Sequence, residues 1–178
     1  MDRIIFGIVG PSGSGKTTVL IIPAIKKIPY QVASIKTYTT REWRDETDDP
    51  IYDFTTHAHM EQLQQRSELI QCVFFGGNYY GNTHQQVNGI LNTRHGIIAL
   101  TEEGVHNFQE KGYHVVAVNV VPIGIPTRDG DIRRKKDDKS RALVPVEYFH
   151  VIENHYGEEG KAKALQQLID IIVCFPLS

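Results

Sequence analysis

The run Gly10-Pro11-Ser12-Gly13-Ser14-Gly15-Lys16-Thr17 holds the most chemistry per residue in this chain. It matches the pattern Gly, four residues, Gly, Lys, Ser/Thr without a mismatch. Such a loop binds phosphate. Glycines let the backbone close on phosphate oxygens with no Cβ in the way. Successive N–H groups point inward, and the following helix adds positive potential at its start. Lys16 supplies a mobile point charge for β- and γ-phosphates. The Thr17 hydroxyl can sit on Mg²⁺. Gly10, Ser12, Gly13, Ser14, Gly15, Lys16, Thr17 and Thr18 are therefore the candidate triphosphate-binding residues.

Elements on both sides must hold that loop. Residues 3–9 form a short apolar run, as a buried parallel strand requires. A helix should open near Lys16 and kink or end early at Pro23, which lacks a backbone donor. Residues 31–37 alternate as a second strand, and the charged, proline-ended stretch 39–50 is a loop. Short strands are expected at 51–54, 69–75 and 78–82, with helices at 56–66 and 83–93. Strands at 97–100, 114–121 and 148–153 alternate with helices at 102–111 and 158–173. That alternation predicts an α/β fold with a parallel sheet flanked by helices. The short strands of residues 38–82 fit it poorly and read as an inserted small lobe.

Composition narrows the function. The 178 residues suffice for one domain with a core and a small insertion. A formal net charge of −2 gives no electrostatic case for nucleic acid as a partner. Cys72 and Cys174 have no metal-ligand spacing and suggest reduced thiols in the cytosol. No signal peptide is expected ahead of the first strand, and the apolar runs at 115–122 and 169–176 are too short to span a bilayer. His57 and His59 are two apart and share no helix face, which argues against a metal site there.

Thr39-Thr40-Arg41 with Arg44, then Tyr52-Asp53-Phe54, then Gly77-Asn78-Tyr79-Tyr80-Gly81, all follow the phosphate loop at definite spacing. Together these motifs resemble the guanylate kinase family. The resemblance covers residues 3–121 and thins afterwards, where Val151-Ile152-Glu153-Asn154 is similar to the family's late strand. It implies phosphoryl transfer from ATP, with Mg²⁺, to a nucleoside monophosphate, GMP first. It also implies a P-loop core over 1–36 and 94–178, an acceptor-binding lobe over about 37–93 and a lid over about 123–145, within one domain of 1–178. Lys16, Arg41 and Arg44 are then the catalytic set. The residues make physical sense of this. Two anionic substrates must be held in line, so positive donors must converge on both. Arg41 and Arg44 can fork onto the acceptor's phosphate, and Tyr52 and Tyr80 can donate to it.

Base contacts depart from the family. Gln71 stands where a glutamate is usual and Thr101 where an aspartate is usual. Thr37 and Asn82 hold positions of small hydroxyl residues near the base, and Ala99 replaces an inner-sheet aspartate. The Gln71 amide could pair with N1–H and O6 of a purine, or with N3–H and O4 of uracil. Broadened base discrimination is the expectation. In the lid, Arg133, Arg134, Lys135 and Arg141 could approach the triphosphate. Two other readings stay open: a kinase for another phosphate monoester such as a phosphorylated sugar, and a non-catalytic binding module. The intact Lys16 and Thr17 count against the second.

Overall fold

The computed structural model describes residues 3–75, 77–124, 145–155 and 157–177. The expected lid cations, Arg133, Arg134, Lys135 and Arg141, lie outside the described residues. Five parallel strands form the central sheet in the order β2 (Val32–Ser34), β7 (His95–Ala99), β1 (Ile5–Val9), β8 (Val115–Ile123), β9 (His150–His155). All five residues of β1 are buried. Phe6 and Ile8 pack to one face, under α1 (Ile22–Lys27) and α5 (Glu158–Val173). Ile5 and Val9 pack to the other, under α3 (His84–Leu91) and α4 (Glu102–Glu110). Full burial of such a side chain is worth about 1.5–3 kcal/mol, so β1 anchors the loop that follows it from both sides.

A second, mixed sheet has the order β4 (Tyr52–Phe54), β3 (Thr37–Thr39), β6 (Asn78–Thr83), β5 (Leu69–Phe75). Its β3 and β4 run parallel, and β6 runs antiparallel to β3 and β5. α2 (His57–Gln65) packs against it, its first turn capped by Thr56 accepting from the His59 N–H.

Two details differ from expectation. The single strand expected at 31–37 is two, β2 and β3, in different sheets. Ile35 donates its N–H to Ile97 in the first sheet, and Thr37 donates to Ile51 in the second. The chain therefore changes sheets at Ile35–Thr37, a tertiary event that alternation cannot show. Ahead of Pro23, residues Lys16–Ile21 wind as a π-helical turn closed by the Ile22 N–H on the Thr17 carbonyl. Pro23 then falls in the first turn of α1, where no backbone donor is needed. Among the described residues no helix is long and apolar enough to cross a membrane.

Candidate active site

The loop after β1 leaves the sheet at its C-terminal edge, where the strand order reverses around β1. A Cβ on Gly10 would lie 2.6 Å from the Val120 carbonyl oxygen, so only glycine fits the exit. Gly15 closes the loop at φ +88, in the left-handed region. Between them Ser14 is fully buried and donates its N–H to Pro11 at 3.2 Å. The Lys16 ammonium reaches back over the loop to the carbonyls of Gly10 (2.6 Å) and Pro11 (2.8 Å). Ser12 and Gly13 are exposed at the loop tip, and Thr17 and Thr18 stand in the π-helical turn. Ile8 pairs with Ala99, so this loop and Leu100–Thr101 leave neighbouring strands side by side. Ala99 is the last residue of β7 and lies beside Ile8.

Arg41 and Asp48 organise the second cluster. Arg41 donates Nη2 to Asp48 Oδ1 at 2.7 Å and Nη1 to Oδ2 at 3.0 Å, a bidentate fork. Nη1 also donates to the Glu42 carbonyl at 2.9 Å. The guanidinium lies 4.7 Å from the Tyr52 ring centroid and 5.7 Å from that of Phe54. Burial opposes its charge, yet the hydrogen bond and charge of Asp48 hold the Arg41 pKa above its ordinary value. Burial alone would raise the Asp48 carboxyl. Hydrogen bonds from Arg41 and the Arg44 backbone N–H, with both arginine charges, hold it below the usual range instead. Asp48 thus grips the Arg41 side chain and, at 3.0 Å, the Arg44 backbone. The Arg44 side chain is exposed.

Tyr52 and Tyr80 approach ring to ring at 6.3 Å beside Arg41. Burial pushes the Tyr52 hydroxyl up, so at neutral pH it remains a donor. Tyr52 also packs against the core cluster that includes Leu20 and Ile21 beneath the phosphate loop. Tyr52 thus helps join the second sheet to the first on this side, as Ile70 of β5 does in the other core cluster.

Gln71, Asn82 and Thr37 form a connected amide network. Asn82 Nδ2 donates to the Lys36 carbonyl (3.0 Å) and to Thr37 Oγ1 (3.2 Å). A backbone carbonyl only accepts, so the orientation of the Asn82 amide is fixed. Its Oδ1 must then face Gln71, whose Nε2 donates at 2.8 Å. Among the described residues Gln71 Oε1 is left buried without a partner. It faces the start of α4, where a Cβ on Gly104 would come within 3.0 Å of it and 3.4 Å of Thr101 Oγ1. Thr101 is the N-cap of α4, accepting from the Gly104 N–H at 3.0 Å.

The sequence-predicted residues thus fall into three groups: Gly10–Thr18 around the loop, Arg41 with Arg44, Tyr52 and Tyr80, and Thr37 with Gln71, Asn82 and Thr101. Asp48 and the part played by Asn154 were missed. Asp48 lies in a run of acids in a loop, and nothing in its type or spacing sets it apart from Asp45, Glu46 and Asp49. Asn154, 1% exposed on β9, donates Nδ2 to the Ser14 carbonyl at 2.8 Å.

The chain is similar to known proteins over most of its length. The family model for guanylate kinase matches residues 2–159. A guanylate kinase of Mycoplasmoides gallisepticum is 29% identical over 169 residues, covering 94% of this chain and 82% of its own. One of Prochlorococcus marinus is 30% identical over 142 residues, covering 76% and 74%. Among solved structures, the guanylate kinase of Anaplasma phagocytophilum matches the fold with a TM-score of 0.62 at 19% identity, over 97% of this chain and 86% of that one. A phosphate loop at the switch point of a parallel sheet, a mixed sheet carrying the arginine–tyrosine cluster, and a family model spanning nearly the whole chain lead to one conclusion: the chain belongs to the guanylate kinase family.

Proposed function

We propose that the protein transfers the γ-phosphoryl group of ATP to GMP. The observation that carries this reading is Asp48, which orders Arg41 and Arg44 beside Tyr52 and Tyr80 while Tyr52 packs on the core under the phosphate loop. An anion-binding loop and a cationic, phenol-lined cluster so linked suit two phosphate-bearing substrates.

Lys16 is already poised at the loop mouth on two carbonyls, and a triphosphate would exchange those contacts for β- and γ-oxygens. Arg44 and the donors of Arg41 outside its Asp48 fork hold the acceptor's phosphate, with Tyr52 and Tyr80 donating beside them. An acceptor phosphate oxygen then attacks the γ-phosphorus, the bond from that phosphorus to the β-bridging oxygen breaks, and ADP departs with the electron pair. Oriented charges, rather than covalent help from the protein, lower the barrier.

The Thr17 hydroxyl at the start of the π-helical turn also fits Mg²⁺, which takes few protein ligands and completes its shell with phosphate oxygens and water. Thr17 would hold it, and when bound it neutralises charge on the β- and γ-oxygens. The two free cysteines fit a reducing cytosol.

Arg44→Ala tests the acceptor side most cleanly, because the exposed side chain can go without stranding a buried partner. Its KM for GMP should rise about tenfold or more while its KM for ATP stays near wild type, as loss of a charged hydrogen bond predicts. A rise confined to ATP would place Arg44 on the triphosphate instead.

A further inference from the structure

We infer that Asn154 is a positioning residue for the phosphate loop: it fixes the Ser14–Gly15 peptide so that the Gly15 N–H faces the bound triphosphate. The inference rests on reading residues 10–17 as a phosphate cradle.

Asn154 belongs to β9, the edge strand separated from β1 by β8. Its side chain crosses to the loop and donates Nδ2 to the Ser14 carbonyl oxygen, a buried contact between residues 140 apart in sequence. That oxygen can only accept, so Asn154 must present nitrogen there. Among the described residues its Oδ1 is then left buried without a partner, as is Ser14 Oγ. In a trans peptide the C=O and the next N–H point in opposite directions, and no described peptide is cis. A Ser14 carbonyl drawn toward Asn154 therefore turns the Gly15 N–H the other way, into the cradle.

Gly15 at φ +88 carries no Cβ, and a peptide leading into glycine can rotate at little steric cost. A flipped peptide would aim a carbonyl oxygen at phosphate. The fit is also close: a Cβ on Gly15 would lie 2.5 Å from Asn154 Nδ2. The glycine thus serves two needs at once, the left-handed backbone and the approach of Asn154.

The test is titration calorimetry of ATP and, separately, of GMP on the wild type, Asn154→Ala and Asn154→Asp, with the Gly15 amide followed by NMR of glycine-¹⁵N-labelled protein. Asn154→Asp keeps the shape but puts an acceptor against an acceptor. Loss of one N–H contact to a charged phosphate should weaken ATP binding about tenfold in Asn154→Ala, and more in Asn154→Asp. GMP binding should be unchanged in both. In the wild type the Gly15 amide proton should move downfield when ATP is added, and in Asn154→Asp it should not. If Asn154→Asp does not fold, Asn154→Ser, which keeps a donor on a shorter arm, should bind ATP between wild type and Asn154→Ala. ATP binding by folded variants within about twofold of wild type, or a wild-type Gly15 amide indifferent to ATP, overturns the inference. A wild type that binds no ATP at all overturns the cradle reading with it.

Discussion

Arg41 and Asp48 meet in a two-point pair at 2.7 and 3.0 Å with both side chains largely out of water, 8% and 11% exposed. The same carboxylate takes the Arg44 backbone N–H. Removing it should therefore affect stability and the acceptor site together. Asp48→Ala leaves a buried guanidinium without its partner and should cost roughly 3 kcal/mol in a denaturant titration. Its KM for GMP should rise while that for ATP holds. Unchanged stability would mean that Arg41 finds an equivalent partner in the loop.

Lys16→Ala should leave the fold intact, since the Lys16 ammonium lies on the Gly10 and Pro11 carbonyls and the residue belongs to neither hydrophobic core cluster. Loss of a charge aimed at the transferred group should lower the rate about 10²-fold or more. Turnover measured on protein with a wild-type circular dichroism spectrum checks this. A folded variant with full turnover would remove Lys16 from the chemistry.

Base selectivity follows from the amide network. A neutral Gln71 oxygen can accept one donor from a base, whereas a carboxylate accepts two with charge assistance. Wild-type kcat/KM for GMP and IMP should therefore lie within a few-fold. Gln71→Glu should favour GMP over IMP about tenfold, the difference between a neutral and a charged hydrogen bond. It should also lower stability by about 1 kcal/mol, because the new carboxylate faces Asn82 Oδ1, which the Lys36 carbonyl prevents from turning. Adding Asn82→Ser should relieve that clash. Sharp GMP selectivity in the wild type, unimproved by Gln71→Glu, would mean that other groups read the base.

His95 couples the start of β7 to the C-terminal segment. Its Nδ1 accepts from the Ile4 N–H at 3.1 Å and its Nε2–H donates to the Phe175 carbonyl at 2.8 Å. Burial holds the pKa below the ordinary 6.5; the Phe175 carbonyl opposes that shift and the Arg3 charge adds to it. The folded state thus binds this proton less readily than the unfolded chain does. Its contribution is full above pH 6.5 and falls as pH drops through the lower folded value, when a proton on Nδ1 displaces the Ile4 N–H. Urea midpoints at pH 7.5 and 5.5 should differ more for wild type than for His95→Ala. Equal differences would show that other groups govern this window.

Much of this was legible in the chain because the signals are local. Residues 10–17 announce a phosphate loop through type and spacing alone, and the apolar stripe of Glu158–Val173 gave that helix its observed limits. What was hidden depends on tertiary placement. Val32–Ser34 and Thr37–Thr39 look continuous until the sheets they join are known. The reach of Asn154 to Ser14 needs the order β1-β8-β9. The facing of the Gln71 amide follows only from a backbone carbonyl two side-chain steps away, at Lys36.

The most direct measurement is ³¹P NMR of the purified protein with ATP, Mg²⁺ and each of GMP, IMP, AMP, UMP and a sugar monophosphate. Phosphoryl transfer to GMP predicts GDP and ADP appearing one for one, with IMP following and AMP and the sugar phosphate slow. ATP binding without GDP formation, or a sugar phosphate consumed faster than GMP, would contradict it.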